Sequence, residues 1–157
     1  MQECLIRALS SRRRLIHRRW EDLLRMERAE TPLANPEALV HLIDWTLEKI
    51  FGRLHGKKAP FSVGLPPRAE ALRAHCSCGR NPFFKHFLAG EQALLEALVL
   101  AQKEDPNLDP VLRDSAVAEL YLVVNELGRC EVELLCSLCE NPPRPRTSLA
   151  GLSVSTC

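Results

Sequence analysis

The sequence contains no apolar run that approaches the roughly 18 to 20 residues needed to span a bilayer. Its first residues, MQECLIRALSSRRR, lack the longer apolar core of a secretory signal. Strand patterns are essentially absent, and the net charge of the 157 residues is only +1. These absences exclude a membrane-spanning chain and predict a cytoplasmic, mainly helical protein.

Catalytic templates are also missing from the sequence. It has no Glu-x-x-His pair of the di-iron bundles, no H-E-x-x-H, no phosphate-binding loop and no nucleophile elbow. The sequence therefore favours a protein that is not an enzyme. A thiol- or metal-dependent enzyme is the alternative that these absences leave open.

Length and composition fit one globular domain, since apolar residues make up 46% and charged residues 26% of the chain. We predict one helical bundle domain over residues 1–140. The remaining residues 141–157, NPPRPRTSLAGLSVSTC, are rich in Pro and then Ser, which predicts a mobile C-terminal tail.

The spacing of apolar residues predicts an all-α fold, an antiparallel bundle of four long helices plus one short helix. Three Asx-Pro steps mark helix starts, because Asn or Asp caps a helix well and Pro suits its first position. Connectors that are mostly short predict that consecutive helices are neighbours. Gly90 is interpreted as permitting close helix contact. The predicted helices cover about residues 2–29, 36–55, 67–75, 82–104 and 110–140.

Two cysteine clusters are predicted to meet at one end of the bundle. Cys76 and Cys78 precede the fourth helix, and Cys136 and Cys139 lie near the end of the fifth. A simple antiparallel hairpin of these two helices brings both clusters to the same level. Four thiols match the ligand set of a structural zinc site, in which His75 could replace one cysteine.

Three uses of these thiols stay open. The C-x-C spacing matches zinc knuckles poorly, so packed or solvent-facing thiols compete with a metal site. A redox disulfide is the third use, although Cys136 and Cys139 end a helix, where the dipole disfavours a thiolate. Cys130 lies on the predicted core stripe of the same helix and is interpreted as a small buried hydrophobe.

Arginines are concentrated in the first helix, in the segment RRRLIHRRW. Clustered Arg is a general nucleic-acid footprint, because phosphate contacts release counterions. Acidic residues follow closely and the net charge is near zero, which favours a solvated helix or one that binds a protein, such as an acidic partner helix or an acidic face of a second copy. The candidate binding residues are Arg12, Arg13, Arg14, Arg18 and Arg19.

Apolar residues of the first helix also predict a homodimer. They offer more apolar surface than one bundle stripe requires, and a second copy would bury the excess. The residues concerned are Leu5, Ile6, Leu9, Leu15 and Ile16. Further along, His86 follows two phenylalanines in FFKHF and is interpreted as a boundary residue with one ring nitrogen in water.

The segments RRWEDLLR and TPLANPEALVHLIDWTLEKIF, followed by two long helices, resemble the N-terminal helical regulatory domains of stressosome-type co-antagonist proteins and related bacterial sensory bundles. The resemblance covers about residues 5–140. It implies an all-helical, often dimeric domain that is attached to an output domain and has no catalytic residues to carry over. The sequence thus predicts a regulatory or protein-interaction helical module, in which structural zinc stays open as a cofactor.

Overall fold

The computed structural model describes residues 1–26, 34–56 and 81–137. Within these ranges the chain forms six α-helices and no strand, which confirms the all-α prediction. None of these helices is long and apolar enough to cross a membrane. The helices are α1 (Glu3–Ser11), α2 (Arg13–Met26), α3 (Pro36–Val40), α4 (Ile43–His55), α5 (Pro82–Lys103) and α6 (Pro110–Ser137).

The first predicted long helix is divided into α1 and α2 at Arg12. The backbone of Arg12 has φ −94° and ψ 10°, and its N–H donates to the carbonyl of Leu9 instead of continuing the regular ladder. Its guanidinium donates to the carbonyl of Ala8 at 2.8 Å, which satisfies an acceptor that the interruption exposes. Ile16 N–H then donates to Arg12 at 3.0 Å, so α2 resumes directly.

The second predicted long helix is likewise divided, into α3 and α4, at His41 and Leu42. The N–H of Leu42 donates to the carbonyl of Leu39, a tightened turn of the kind that ends a helix, and Thr46 N–H returns to the regular pattern with Leu42. The short helix predicted at 67–75 and the tail at 141–157 lie outside the described residues.

All three predicted Asx-Pro helix starts are confirmed. The side-chain oxygen of Asn35 accepts from the N–H of Glu37 at 3.1 Å, and that of Asn81 accepts from Phe83 N–H at 3.0 Å. The carboxylate of Asp109 accepts from the N–H of residue 111 at 2.7 Å. Each cap satisfies one of the free N–H groups of a first helical turn.

Helices α5 and α6 form an antiparallel hairpin. Three cross-helix hydrogen bonds fix their register, since residue numbers fall along α5 as they rise along α6. These bonds run from Gln102 Nε2 to the carbonyl of Arg113 (3.1 Å), from Asn125 Nδ2 to Glu91 Oε2 (3.2 Å) and from Asn81 Nδ2 to the carbonyl of Val132 (3.0 Å).

Four helices surround the core in the order α2, α4, α6, α5. Helix α2 packs on α4 and α5, and α6 packs on the same two helices, so α4 lies diagonally opposite α5. The expectation that consecutive helices are neighbours is not tested for α4 and α5, because the short helix predicted between them lies outside the described residues. The intervening segment 57–80 is long enough to impose no adjacency on the helices it joins.

The core is built from the predicted apolar stripes of α1, α2, α4 and α5, but the stripe predicted for α6 is only partly correct. Burial in α6 shifts to Val124, Gly128 and Val132, at steps of four. Such steps advance the buried face by about 40° each, because an α-helix repeats every 3.6 residues. Cys130 is therefore exposed, contrary to prediction, and so is Leu134 at 63%.

Candidate functional site

Helices α2 and α5 are joined by a two-pronged ion pair between Arg19 and Glu96. Nε of Arg19 lies 2.7 Å from Glu96 Oε2, and Nη2 lies 2.9 Å from Oε1. These hydrogen bonds lower the pKa of the Glu96 carboxyl and raise that of the guanidinium. The pair therefore fixes the two helices side by side at this level.

Two more arginines of the predicted binding set are also engaged inside the fold. Arg12 pairs with Glu104 at the end of α5, and this hydrogen bond lowers the pKa of the Glu104 carboxyl. Arg13 turns to the other side of α2, where Nη2 lies 3.1 Å from Asp44 of α4. Three of the five arginines thus neutralise acidic residues of the bundle itself.

The other two predicted binding residues, Arg14 and Arg18, are exposed on α2. Neither has an ion-pair partner among residues 1–26, 34–56 and 81–137. The structure therefore brings Arg14 and Arg18 to solvent as uncompensated charges, and it separates them from Arg12, Arg13 and Arg19.

An exposed apolar surface lies next to these free arginines. Leu15 of α2 is 49% exposed, and Val99 and Leu100 of α5 are 57% and 47% exposed. Together with the half-buried Leu95, these side chains form a surface that we call the α2–α5 patch. Its α5 part is an open depression lined by Leu95, Glu96, Val99 and Leu100.

Two ion pairs bracket the α2–α5 patch and set its register. Arg12 pairs with Glu104 and Arg19 with Glu96, so the residues midway between them, Leu15 and the residue at position 100, face each other across the groove. The α2–α5 patch is therefore an apolar strip between two ion pairs that join the helices. We call these two ion pairs the clasps of the patch.

The other apolar residues that the sequence predicted for a dimer surface are not available at the surface. Leu5, Ile6, Leu9 and Ile16 are between 0% and 3% exposed and belong to the core. The surplus apolar surface that sequence analysis assigned to the first helix is thus reduced to Leu15. The reason is that α1 and α2 each pack on both α4 and α5, so they bury a wider stripe than one helix contact needs.

A buried polar cluster links α2, α4 and α5 at His86. The indole Nε1 of Trp20 donates to the backbone carbonyl of His86 at 2.9 Å. The hydroxyl of Thr46 donates to the carbonyl of Leu42, so its oxygen accepts from His86 Nε2 at 2.9 Å. The imidazole is therefore the neutral Nε2–H tautomer, and its Nδ1 has no hydrogen-bond partner among the described residues.

His86 is fully buried, so the prediction of a boundary residue is wrong. Burial lowers its pKa to about 3, because the charged imidazolium would lose its hydration. The burial of His86 could not be predicted from its neighbours in FFKHF, because Trp20, which packs against it, comes from a distant part of the chain. The ring therefore has a structural role in the core. Because it has no access to solvent, it cannot exchange protons with a substrate.

The predicted zinc ligands His75, Cys76, Cys78 and Cys139 lie outside the described residues. Cys136 belongs to the last turn of α6 by its backbone. Within the described part of the chain, no group of three or more His, Cys, Asp or Glu residues could hold a metal ion.

A small, partly open pocket lies between α2, α3 and α5. It has a volume of about 70 Å³ and is lined mainly by Leu23, Leu24, Leu39, Leu88 and Ala89. Pockets for drug-sized ligands usually measure roughly 300 Å³ or more. This pocket is therefore too small for such a ligand, and we take the α2–α5 patch as the candidate site.

Sequence reasoning missed the α5 half of this patch, although a signal was present. The segment ALVLAQ places apolar residues on every side of α5, and a helix that is apolar all round needs burial on more than its core face. Comparisons with protein-family models, curated proteins and solved structures find no match. The function is therefore argued from the site.

Proposed function

We propose that this chain is a regulatory or protein-interaction module that binds a protein partner through the α2–α5 patch. The observation that carries the proposal is the strip of Leu15, Val99 and Leu100, each about half exposed, between the clasps Arg12–Glu104 and Arg19–Glu96. Contiguous apolar surface with a polar rim is typical of interaction sites.

The clasps support this proposal because they fix the surface before a partner arrives. A binding surface on packed helices loses little conformational freedom on association, which leaves more of the contact energy for affinity. Resemblance to N-terminal helical regulatory domains implies the same class of function, and we include a regulatory role in the proposal on that basis.

Nucleic-acid binding through the arginines is the runner-up. It retains only Arg14 and Arg18 as free phosphate ligands, since Arg12, Arg13 and Arg19 are occupied by carboxylates. Too few phosphate contacts remain for the electrostatic term that drives such binding. No described residue favours the thiol- or metal-dependent enzyme.

A site-specific photocrosslinker tests the proposal in the native cells. The reactive residue replaces Val99 in one full-length protein and Gly52 in the control. Gly52 is exposed on α4, diagonally opposite α5, and a Cβ atom there meets nothing within 4 Å. We expect a discrete adduct from position 99 and none of that mass from position 52.

A second substitution makes this result specific. Leu100→Glu should abolish the adduct from position 99, and it should weaken binding of the identified, purified partner at least about tenfold, the effect of roughly 1.4 kcal/mol. Equal adducts from both positions, or an adduct that Leu100→Glu leaves intact while the protein stays folded, would overturn the proposal.

A further inference from the structure

The partner that fits the α2–α5 patch is an amphipathic α-helix whose polar side is acidic. We infer this from the shape of the groove and from the signs of the charges around it, and the inference rests on the proposed function. It names the chemistry of the partner, which the proposed function leaves open.

The shape of the groove favours a helical partner. Arg12–Glu104 and Arg19–Glu96 show that α2 and α5 run antiparallel side by side, so their outer surfaces form a straight furrow. On α5, Leu95 and Val99 are one turn apart, and with Glu96 and Leu100 they line an open depression beside this furrow. A third helix can insert apolar residues at its own i, i+3, i+4 and i+7 positions into such a furrow.

The free charges beside the patch are mainly positive. Lys103 is exposed one turn beyond Val99 on α5, and Arg18 is exposed one turn beyond Leu15 on α2. Because the helices are antiparallel, these two cations flank the apolar strip at opposite ends. Neither has an ion-pair partner in the described ranges, and the same is true of Arg14.

Acidic groups near the patch are largely neutralised already. The carboxylates of Glu96 and Glu104 are bound by Arg19 and Arg12. Two exposed carboxylates, Asp22 one turn beyond Arg18 and Asp105 two residues beyond Lys103, oppose the three free cations. The surface therefore presents an excess of positive charge, which attracts carboxylates on the polar side of a docked helix and repels a basic one.

The apolar side chains of the patch favour an amphipathic helix over nucleic acid as the partner. A phosphate backbone would use the cations but would leave Leu15, Leu95 and Val99 without contacts, whereas an amphipathic helix covers both. An anionic lipid surface also combines the two chemistries, so vesicles form one arm of the test.

The test uses three labelled helical peptides that share one apolar stripe and differ only in polar residues, which are Glu, Gln or Lys. Fluorescence anisotropy with the full-length chain should rank the affinities Glu above Gln above Lys. Affinity for the Glu peptide should fall as salt rises from 50 to about 300 mM, because exposed charges are screened.

Charge reversal at the patch provides the specific control. Arg18→Glu should weaken the Glu peptide at least about tenfold and strengthen the Lys peptide. Arg7→Glu makes the same change of net charge at an exposed residue of α1 that is not one of the patch residues, and it should alter neither affinity more than about twofold. Equal effects of the two variants would overturn the inference.

The remaining outcomes are also decisive. Tighter binding to phosphatidylserine-containing vesicles or to duplex DNA than to the Glu peptide would replace the acidic helix by that ligand class. If no peptide binds while the crosslinked partner is still lost on Leu100→Glu, the acidic helix is wrong and the proposed function stands. If Leu100→Glu spares both the peptide and the crosslink, both fail.

Discussion

Gly90 of α5 lies directly against the indole ring of Trp20 on α2. A Cβ atom built on Gly90 would be 2.2 Å from Cζ2 of Trp20 and 2.4 Å from Cη2. The contact brings the two backbones close at the point where the core is deepest, since Trp20 is fully buried. It also confirms the interpretation of Gly90 as a site of close helix contact.

We expect Gly90→Ala to destabilise the protein. The added methyl cannot fit unless the indole moves, and this ring is held by its hydrogen bond to the carbonyl of His86. Overpacking of this kind usually costs about 1–3 kcal/mol. The free energy of unfolding from urea denaturation measures it.

Gly52→Ala is the matched control for the same chemical change. Gly52 is also within a helix, but nothing lies within 4 Å of its Cβ position. Ala should therefore stabilise the protein by about 0.5–1 kcal/mol, since it is the better helix former. A Gly90→Ala protein as stable as Gly52→Ala would contradict the packing described for Trp20.

Acid should weaken the fold through His86. Its pKa is lowered to about 3 in the folded protein from 6.5, so below pH 6.5 the unfolded chain binds a proton that the folded chain does not. Stability is therefore full above pH 6.5 and falls as pH decreases towards 3, by about 1.4 kcal/mol per pH unit. Between pH 7.5 and 5 the loss should be about 2 kcal/mol.

The variant His86→Gln identifies the group responsible. Gln can donate to the Thr46 hydroxyl oxygen as the imidazole does, but it does not titrate. We expect it to be less stable at pH 7.5 and to lose about 2 kcal/mol less than the original protein between pH 7.5 and 5. Parallel pH profiles for the two proteins would show that His86 is not the titrating group. This comparison stays above the range in which Glu96 and Glu104 protonate.

Asn81 and Asn35 both cap a helix before Pro, but only Asn81 is predicted to matter strongly. Asn81 is 7% exposed, and its amide also donates to the carbonyl of Val132. Asn81→Ala removes the cap and also the buried hydrogen bond to Val132, for a combined loss of about 2 kcal/mol. Asn35→Ala removes an exposed cap alone, at about 1 kcal/mol. Thermal unfolding of both variants gives the comparison, and equal losses would contradict it.

Helix starts and apolar stripes could be predicted because they are local. A cap such as Asn81-Pro82 involves neighbouring residues only, and the buried positions of α5 repeat with the helical period. Interruptions at Arg12 and at His41 could not be predicted in this way. Arg12, for example, gains its ion pair with Glu104, which is distant in sequence.

The candidate site was missed for the same reason. Five arginines within eight residues suggested one basic surface, but Glu96, Glu104 and Asp44 of other parts of the bundle neutralise three of them. Exposure of Val99 and Leu100 depends on which sides of α5 are covered by α2 and α6. The packing decides this, although the apolar segment ALVLAQ indicated that α5 needs burial on more than its core face.

The register of α5 and α6 allows the predicted meeting of the two cysteine clusters to be stated as a distance. Asn81 contacts Val132, and Cys136 lies one turn beyond Val132 in α6. If this register continues, Cys76 and Cys78 should lie within about 10 Å of Cys136 and Cys139. The three to five residues of chain that separate Cys76 and Cys78 from residue 81 reach at most roughly 10–18 Å, or two to three helical turns.

A short bifunctional thiol reagent tests this proximity in the full-length chain. We expect mass spectrometry to find intramolecular links that join Cys76 or Cys78 to Cys136 or Cys139, and to find none from Cys4, which is exposed at the start of α1. Zinc content of protein purified without chelator then separates the uses of the thiols. Near-stoichiometric zinc that blocks the crosslink, and whose removal destabilises the protein, identifies a structural metal site. Crosslinking without zinc identifies packed thiols, whereas links only to Cys130 or between separate molecules would show that the clusters do not meet.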